Sequence, residues 1–356
     1  MTILDHIYET NIPKHNFHER KKSISSNNTI LYGPPKSGKT YLIYDYLSSF
    51  KSKEFLYIDL NDYKNDKEDI KSYLNYFTER NKIKVVVLEN FDFDFDLPKV
   101  TNIIITSKQH QNIKGFETIL LEPLDFEEYL LFDTKHQNIS YSFNSFLKYG
   151  NFPEIIEYSE QKKHKRNYEI CQLYCEDKTD LEILFLLIKS ASEIKSVYQL
   201  FNQLKNKIKI SKDRFYKSFD QLEQSKVIHS IQKYNQPKAA KKLFIFNHAL
   251  LDIVSYKKNF NNLFKNMVFL ELNALYSDIY YLDNMDFYIP SEDMIVLSIP
   301  FFNELVSSTV IAKIIPLIDK YNIKDIMIIT VSGEKNIYID NIEAQVITYY
   351  DWVLAQ

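Results

Sequence analysis

Residues 29–47 read TILYGPPKSGKTYLIYDYL, and the interpretation of the chain starts from this stretch. Its centre, Gly33 to Thr40, fits the pattern G-x-x-x-x-G-K-[ST], in which a glycine-containing loop joins a strand to a helix. Two glycines let the backbone turn so that successive N–H groups point at phosphate oxygens, and the helix N-terminus adds the positive end of its dipole. The stretch therefore predicts a loop that binds a nucleoside triphosphate.

Within this loop, two side chains have specific predicted roles. Lys39 reaches the β- and γ-phosphates, and the hydroxyl of Thr40 binds Mg²⁺. No guanine-reading Asn-Lys-x-Asp motif occurs in a suitable place, so the predicted ligand is ATP with Mg²⁺. The residues predicted to hold the nucleotide are Gly33, Pro34, Pro35, Lys36, Ser37, Gly38, Lys39 and Thr40.

A second segment, KVVVLENFD at residues 84–92, has the apolar run and acidic end of a Walker B strand. ATPases of this topology usually end this strand with Asp-Glu, in which the Asp holds the Mg²⁺ shell and the Glu polarises the attacking water. Here those places are Glu89 and Asn90. Glu89 can accept from a Mg²⁺-bound water, so Thr40 and Glu89 are the predicted metal-site residues. Asn90 cannot take a proton.

These residues predict a site that holds ATP well and splits it slowly. Replacing Asn90 by Glu would then raise turnover by at least about tenfold. Asp92 is an alternative base if its side chain enters the site. The next apolar run, NIIITSK at residues 102–108, resembles a sensor strand whose Thr106 or Ser107 hydrogen-bonds the γ-phosphate or the water. The predicted catalytic residues are Lys39, Glu89, Asn90 and Thr106.

Four segments can be distinguished along the chain. Between about residues 28 and 122, short continuously apolar runs alternate with helical patterns, which is typical of an α/β domain with a parallel sheet buried on both faces. Residues 124–195 are helical, beginning with a predicted N-cap at Asp125. Residues 196–248 give two helices and then a hairpin, the order of a winged helix. Residues 249–356 return to mixed α/β.

The whole pattern resembles a prokaryotic branch of AAA-type ATPases, the archaeal ATPase-like group. Besides the phosphate loop, the resemblance is carried by LLEPLDFEEYLLF, FLKYGNFPEII, SKDRFYKSFDQLEQSKVIHSIQKY, LFKNMVFLEL, NMDFYI and ITYYDWVLAQ. It covers nearly the whole chain. The resemblance implies a P-loop ATPase core (1–123), a helical lid (124–195), a winged helix (196–248) and a restriction-endonuclease-like domain (249–356).

That last domain lacks most of the nuclease residues of the family it resembles. Such an enzyme needs an Asp on one strand and (Asp/Glu)-x-Lys on the next, to bind Mg²⁺ and to orient water. The matching segments keep Asp286, accompanied by Glu271 on the preceding helix. The (Asp/Glu)-x-Lys place reads Ser298, Ile299, Pro300, so the second acid and the Lys are missing. We therefore predict a nuclease-like scaffold without nuclease activity.

The distribution of charge leaves DNA binding as an open alternative. The chain has 44 basic and 47 acidic residues, a net charge of -3, so the molecule as a whole is not a polyanion binder. Residues 201–242 nevertheless hold eleven basic and three acidic side chains, a local net charge of +8, which on a winged helix could neutralise DNA phosphates. The other reading is a solvated face used for domain docking. The basic residues are Lys205, Lys207, Lys209, Lys212, Arg214, Lys217, Lys226, Lys233, Lys238, Lys241 and Lys242.

Targeting and cysteine signals predict a cytoplasmic protein without a membrane partner. The N-terminus lacks the layout of a signal peptide, and no apolar stretch spans a bilayer. Cys171 and Cys175 are spaced four apart, and they are read as free thiols because no second ligand pair has matching spacing.

Two functions from different classes follow from the sequence. The first is an ATP-binding switch of AAA type with slow hydrolysis. The second is a DNA-binding module of a defence or mobile-element system, in which the nucleotide is structural. An arginine finger for hydrolysis would come from a partner, a second copy of the chain, or one of four arginines: Arg20, Arg80, Arg166 and Arg214.

Overall fold

The structure is a computed structural model that describes residues 3–10, 12–13, 17–135, 138–257 and 259–356, except for the side chains at 304 and 305. The chain divides into two compact units. The first comprises residues 1–123 with 224–226, and the second comprises residues 124–223 with 227–356. No described helix is long and apolar enough to cross a membrane.

The first unit is an α/β layer structure built on a parallel sheet. Within its described part, five strands lie in the order β2-β3-β4-β1-β5, and every neighbouring pair is parallel. Its elements are α1 (Ile3–Glu9), β1 (Thr29–Tyr32), α2 (Lys39–Leu47), β2 (Phe55–Asp59), α3 (Lys67–Asn81), β3 (Val85–Glu89), β4 (Asn102–Thr106) and β5 (Glu117–Leu120).

The burial of these strands confirms the predicted parallel sheet. Every residue of β1, β3 and β4 is buried, as expected for strands covered on both faces. Because parallel strands end at the same edge, the sheet brings the last residues of β2, β3 and β4 together, namely Asp59, Glu89 and Thr106. The phosphate loop follows β1 at that same edge.

The first part of the second unit begins with a series of helices and then has two more helices and a hairpin, in the order that the sequence predicted. Asp125 is the N-cap of its first helix, and the carboxylate accepts from the backbone N–H of Glu128 at 2.8 Å. The elements of this part are α4 (Phe126–Phe132), α5 (Ile139–Tyr149), α6 (Pro153–Glu157), α7 (Glu160–Gln172), α8 (Lys178–Lys189), β6 (Ile194–Lys195), α9 (Val197–Lys205), α10 (Lys212–Gln224), β7 (Ile228–Lys233) and β8 (Lys241–Ile245).

The second part of this unit is mixed α/β. A 3₁₀ turn (Pro290–Glu292) separates two of its strands. Its elements are α11 (Leu250–Val254), α12 (Phe260–Leu275), β9 (Tyr280–Tyr281), β10 (Phe287–Ile289), β11 (Met294–Ser298), α13 (Glu304–Tyr321), β12 (Asp325–Thr330), β13 (Lys335–Ile339), β14 (Ile342–Thr348) and α14 (Tyr349–Leu354).

One sheet runs through the second unit. Counted over the described residues, nine strands lie in the order β13-β14-β12-β11-β10-β9-β7-β8-β6. The β7–β8 hairpin joins the remainder because Gln232 and Lys233 pair in parallel with Tyr280 and Tyr281. The hairpin of the predicted winged helix and the predicted C-terminal domain thus share a sheet, and the boundary placed at residue 248 stays a prediction.

Candidate nucleotide-binding site

The loop between β1 and α2 adopts a backbone that glycine makes accessible. Gly33 has φ 133° and Gly38 has φ 101°, both outside the region that L-residues favour. A Cβ at Gly33 would lie 2.3 Å from the carbonyl oxygen of Leu121, so this position also requires the absence of a side chain. The chain therefore turns directly from the end of a buried strand into the N-terminus of α2.

Lys39 lies across this loop with its ammonium group turned onto the backbone. Its Nζ donates to the carbonyl oxygens of Gly33 at 2.9 Å and Pro34 at 2.8 Å. Burial of the ammonium lowers the pKa of Lys39 to about 8, although the nearby charge of Glu89 acts in the opposite direction. A phosphate would offer this ammonium a charged acceptor in place of neutral carbonyls.

Two further observations on Ser37 and Arg20 indicate how the loop could hold a phosphate. The hydroxyl oxygen of Ser37 is buried and has no hydrogen-bond partner among the described residues, as expected of a donor that lines an anion site. Arg20 supports the loop from the N-terminal segment, because its guanidinium donates to the carbonyl oxygens of Ser37 at 2.8 Å and Glu122 at 2.9 Å. The sequence analysis named Arg20 only as a candidate arginine finger and did not predict this supporting role.

Glu89 lies at the centre of the site, held by hydroxyl groups. The hydroxyl of Thr40 donates to its Oε1 at 2.8 Å, so the two predicted metal-site residues are in contact. Its Oε2 accepts from the hydroxyl of Tyr57, a residue of β2 that the sequence analysis missed. Burial raises the pKa of Glu89, and the hydrogen bonds from Tyr57 and Thr40 only partly offset this effect.

Asn90 is held by both neighbouring strands. Its backbone is left-handed, with φ 59°, a conformation that Asn tolerates well. Its backbone N–H donates to the hydroxyl of Thr106 at 2.8 Å, and its side-chain Nδ2 donates to Oδ1 of Asp59 at 2.9 Å. Thr106 therefore contacts the backbone of Asn90, and Asp59 is a second acidic residue at this edge.

Asp92 does not enter the site in this structure. Its carboxylate lies 3.6 Å from the ammonium of Lys67, the first residue of α3, which also pairs with Asp94 at 3.0 Å. The side chain of Asp92 is 64% exposed. The alternative assignment of Asp92 as the base is therefore not supported by its position.

The basic stretch is partly neutralised by acidic residues that lie outside it. Arg214 pairs with Asp177 at 2.7 Å and Asp180 at 3.0 Å, both from the start of α8. Lys233, Lys241 and Lys242 also contact carboxylates. Five lysines around α9 and α10 remain exposed, namely Lys205, Lys207, Lys209, Lys212 and Lys217.

The carboxylate of Asp286, just before β10, is fully occupied by protein donors. Oδ1 lies 2.6 Å from the ammonium of Lys265 and 3.8 Å from that of Lys242. Oδ2 accepts from the backbone N–H of Ser298 at 3.0 Å and from its hydroxyl at 2.9 Å. Burial alone would raise the pKa of Asp286, yet the two ammonium groups outweigh burial and hold it below the ordinary value.

Glu271, the other acid considered for a nuclease site, has a different role. It accepts from the backbone N–H of Phe126 at 2.9 Å and from the hydroxyl of Tyr349 at 2.6 Å. It therefore supports the N-terminus of α4 and the start of α14. No group of three or more His, Cys, Asp or Glu side chains in the described residues is arranged to hold a metal, and Cys171 and Cys175 are free thiols.

Comparisons with known proteins give weak similarities. No family model matches the chain. An uncharacterized protein of Methanocaldococcus jannaschii, MJ1544, is 23% identical over 307 residues, covering 70% of this chain and 67% of that protein.

Comparison of the fold with solved structures gives low TM-scores. The Walker-type ATPase of Pyrococcus abyssi has a TM-score of 0.41 at 12% identity, covering 64% of this chain and 90% of its own. The Aeropyrum pernix ORC1 protein in complex with DNA has a TM-score of 0.31 at 10% identity, covering 64% of this chain and 86% of its own. At these levels none of the likenesses establishes the family or the function.

Proposed function

We propose that the chain is an ATP-binding protein of AAA type, which binds Mg²⁺ and ATP tightly, hydrolyses ATP slowly and acts as a nucleotide-dependent switch. The observation that carries the proposal is the contact of Thr40 with Glu89 at 2.8 Å directly beside a loop on which Lys39 is already folded. Loop N–H groups, Lys39 and the hydroxyl of Ser37 would bind phosphate oxygens. Mg²⁺, when bound, supplies positive charge to the phosphates.

The metal would be held by the hydroxyl of Thr40, with Glu89 accepting hydrogen bonds from its water ligands. Slow hydrolysis follows because Asn90 stands where a carboxylate base is usual. A positioned general base is worth about 10²- to 10⁴-fold in rate. The site would therefore remain in its ATP-bound state for long periods, which suits a switch better than a motor.

The test is the nucleotide content and the nucleotide affinity of purified protein. We expect adenine nucleotide in the supernatant of freshly purified, denatured protein, and Mg²⁺-dependent binding of ATP in preference to GTP. Lys39→Ala should abolish binding. Lys71→Ala is the matched control, because it makes the same substitution at an exposed lysine of α3, outside the loop. Binding that persists in Lys39→Ala would reject the proposal.

We further propose that residues 124–356 comprise the lid, the winged helix and a nuclease-like domain that does not cut nucleic acid. The occupied carboxylate of Asp286 supports the last part, because a cation would have to displace two ammonium groups. Incubation with single- and double-stranded DNA and Mg²⁺ or Mn²⁺ should leave both substrates intact. Cleavage that is lost in Asp286→Ala would overturn this part.

The exposed lysines around α9 and α10 support DNA binding as a second candidate function. The structure changes the choice of variant, because Arg214 is engaged with Asp177 and Asp180 and its loss would disturb the fold. Lys212→Glu/Lys217→Glu should weaken DNA binding and lower the salt-dependence slope by about two. The matched control is Lys162→Glu/Lys189→Glu on α7 and α8. Equal loss in both variants would indicate a net-charge effect and reject a specific surface.

A further inference from the structure

The candidate nucleotide site contains a second acidic residue on a strand that no phosphate-binding motif includes. Asp59 is the last residue of β2 and lies in parallel register with Glu89, the last residue of β3. Both carboxyl groups therefore emerge at the same edge of the sheet. They are close enough for the charge of Asp59 to contribute to the raised pKa of Glu89.

The contact between Asp59 and Asn90 sets the direction of the Asn90 carboxamide. Oδ1 of Asp59 accepts from Nδ2 of Asn90 at 2.9 Å and from the backbone N–H of Asn61 at 3.0 Å. A carboxylate accepts and does not donate, so the amide nitrogen has to face Asp59. The amide oxygen of Asn90 then points to the other side, and none of the residues the structure describes donates to it.

The backbone of Asn90 is fixed as well. Its N–H donates to the hydroxyl of Thr106 on β4, while its side chain is held from β2 on the other side of β3. The result is a neutral acceptor oxygen with a defined direction, on the residue that directly follows the last residue of β3, Glu89, whose carboxylate contacts Thr40. An oriented acceptor of this kind can bind a water molecule but cannot deprotonate it.

We propose that Asp59 is a positioning residue for ATP hydrolysis, which holds Asn90 so that its amide oxygen accepts a hydrogen bond from the attacking water. The inference rests on the proposed function. In the step, the water oxygen forms a bond to the γ-phosphorus, and the bond from that phosphorus to the bridging oxygen breaks. ADP keeps that electron pair. The proton of the water passes to a phosphate oxygen, and the products at neutral pH are ADP, phosphate and a proton.

This arrangement changes the expectation for Asn90→Glu. A glutamate there would have to adopt a left-handed backbone and would place a second negative charge against Asp59, which disfavours both ionised forms. The expected tenfold gain in turnover should therefore be absent. The informative exchange is Asp59→Asn/Asn90→Asp, which keeps one carboxylate and one carboxamide but moves the carboxylate to β3.

The experiment compares wild type, Asp59→Ala, the exchange variant and the control Asp92→Ala, which removes an exposed carboxylate nearby. Alanine is used at residue 59 because the carboxamide oxygen of an asparagine would still accept from Asn90. Three quantities are measured: single-turnover hydrolysis, ATP affinity, and the affinity for ADP with Mg²⁺ and aluminium fluoride, a mimic of the transferring phosphoryl group. Asp59→Ala should lower the rate and the affinity for the mimic by about 10- to 100-fold, with ATP affinity changed less than about threefold. The exchange variant should recover most of the loss, and Asp92→Ala should behave as wild type.

Several outcomes would reject the positioning role. Equal losses of ATP affinity and hydrolysis in Asp59→Ala would show that the residue only supports the fold, as would failure of the exchange variant to improve on it. Wild type that binds ATP but shows neither turnover nor tighter binding of the mimic would reject the inference and leave ATP binding intact. Wild type that does not bind ATP would instead reject the proposed function itself.

Discussion

Glu89, which is buried, and Asp286, which is largely buried, are acidic side chains at strand ends in the two units, and their partners differ in charge. Glu89 accepts from the hydroxyls of Thr40 and Tyr57, both neutral. Asp286 contacts the ammonium groups of Lys265 and Lys242. The consequence is opposite: the pKa of Glu89 is raised by burial, whereas that of Asp286 is held low by the lysines against the effect of burial.

This difference separates a carboxylate that can take part in ligand binding from one that is structural. Hydroxyl donors can be exchanged for a metal-bound water without leaving a buried charge unpaired. Two ammonium groups already supply the positive charge that a metal would bring. Displacing them would leave poorly solvated ammonium groups without a counter-charge. An acidic side chain at the end of a strand can therefore bind a ligand only where its hydrogen-bond donors can be replaced by that ligand.

The largest effect is expected at Asp286. Asp286→Ala leaves the buried Lys242 and the half-buried Lys265 without this counter-charge, which should cost about 3 kcal/mol in the free energy of unfolding, the lower end of the range for buried pairs. Because the folded-state pKa of Asp286 is lowered, its contribution is present above the ordinary pKa and is lost as the pH falls through the lowered value. Urea denaturation at pH 7 and at acidic pH measures both effects.

Asp283→Ala is the control for this prediction. Asp283 also pairs with a lysine, Lys233, at 2.7 Å, but its side chain is 73% exposed. Its removal should change stability far less than Asp286→Ala does. Similar losses of stability in Asp283→Ala and Asp286→Ala would show that the contacts of Asp286 are no stronger than an exposed ion pair. The contrast between Asp286 and Glu89 would then fail.

The sequence predicted the parts of the site that are local and missed those that come from other strands. The loop, α2 and β3 follow from contiguous residues, and Thr40 does contact Glu89. Tyr57 and Asp59 lie about thirty residues upstream in EFLYIDL, which was read only as an apolar run. Their alternate polar positions at the end of that run were the available signal, but neighbouring strands are not adjacent in sequence.

Charge was the least predictable property. The net charge of +8 for residues 201–242 counted only the acidic residues within that stretch. Arg214 is in fact paired with residues more than thirty positions upstream, at the start of α8. Lys242 belongs to the buried cluster at Asp286 and is not on a DNA-facing surface. The hairpin of β13 and β14 was also missed, because exposed polar residues interrupt the apolar ones, as Glu343 and Gln345 do in β14, and no continuous apolar run results.

The second prediction concerns Glu89 and should affect ligand binding more than stability. Glu89→Gln should lower the Mg²⁺-dependent part of ATP affinity by about 10- to 100-fold, because an orienting acceptor for the metal's water ligands is lost. The free energy of unfolding at pH 7 should change by less than about 1 kcal/mol. Since the folded-state pKa is raised, ionised Glu89 costs stability that grows as the pH rises from the ordinary value through the raised one.

Calorimetric titration with and without EDTA separates the metal-dependent part for this variant. ATP affinity in EDTA should be the same in wild type and Glu89→Gln. A stability loss comparable to that of Asp286→Ala would mean that Glu89 is as structural as Asp286, and the comparison would fail.

The third prediction is a pH dependence set by Lys39. Its pKa in the free protein is about 8, and phosphate binding requires the protonated form. ATP affinity should therefore fall by about tenfold between pH 7 and pH 9, where the nucleotide itself no longer titrates. Stability of the free protein should show the opposite sign, because deprotonation relieves the burial of a charge as the pH rises from about 8 toward the ordinary value.

Lys39→Arg is the control for the pH profile, since a guanidinium stays charged throughout this range. Its ATP affinity should be weaker than that of wild type and independent of pH between 7 and 9. Proton uptake on binding at pH 8.5, measured by calorimetry in two buffers of different ionisation enthalpy, provides a second readout. A flat wild-type profile without proton uptake would contradict the assignment.

The smallest effect is expected at Tyr57, and its sign tests the idea that the partners of Glu89 can leave. Tyr57→Phe removes one donor from Glu89 in the free protein. Losing this hydrogen bond should destabilise the free protein by about 1 kcal/mol. If the metal's water ligands replace the hydroxyl on binding, the free state alone is penalised, and affinity for ATP with Mg²⁺ should rise by about fivefold.

Tyr46→Phe is the matched control, because the Tyr46 hydroxyl accepts from the side chain of Asn102 at 2.6 Å, away from Glu89. It should also destabilise the free protein but leave ATP affinity unchanged. Weaker ATP binding in Tyr57→Phe would show that the hydroxyl stays on Glu89 in the bound state and orients it. Glu89 would then resemble Asp286 in having a partner that cannot be exchanged, and the distinction between the two acids would rest on charge alone.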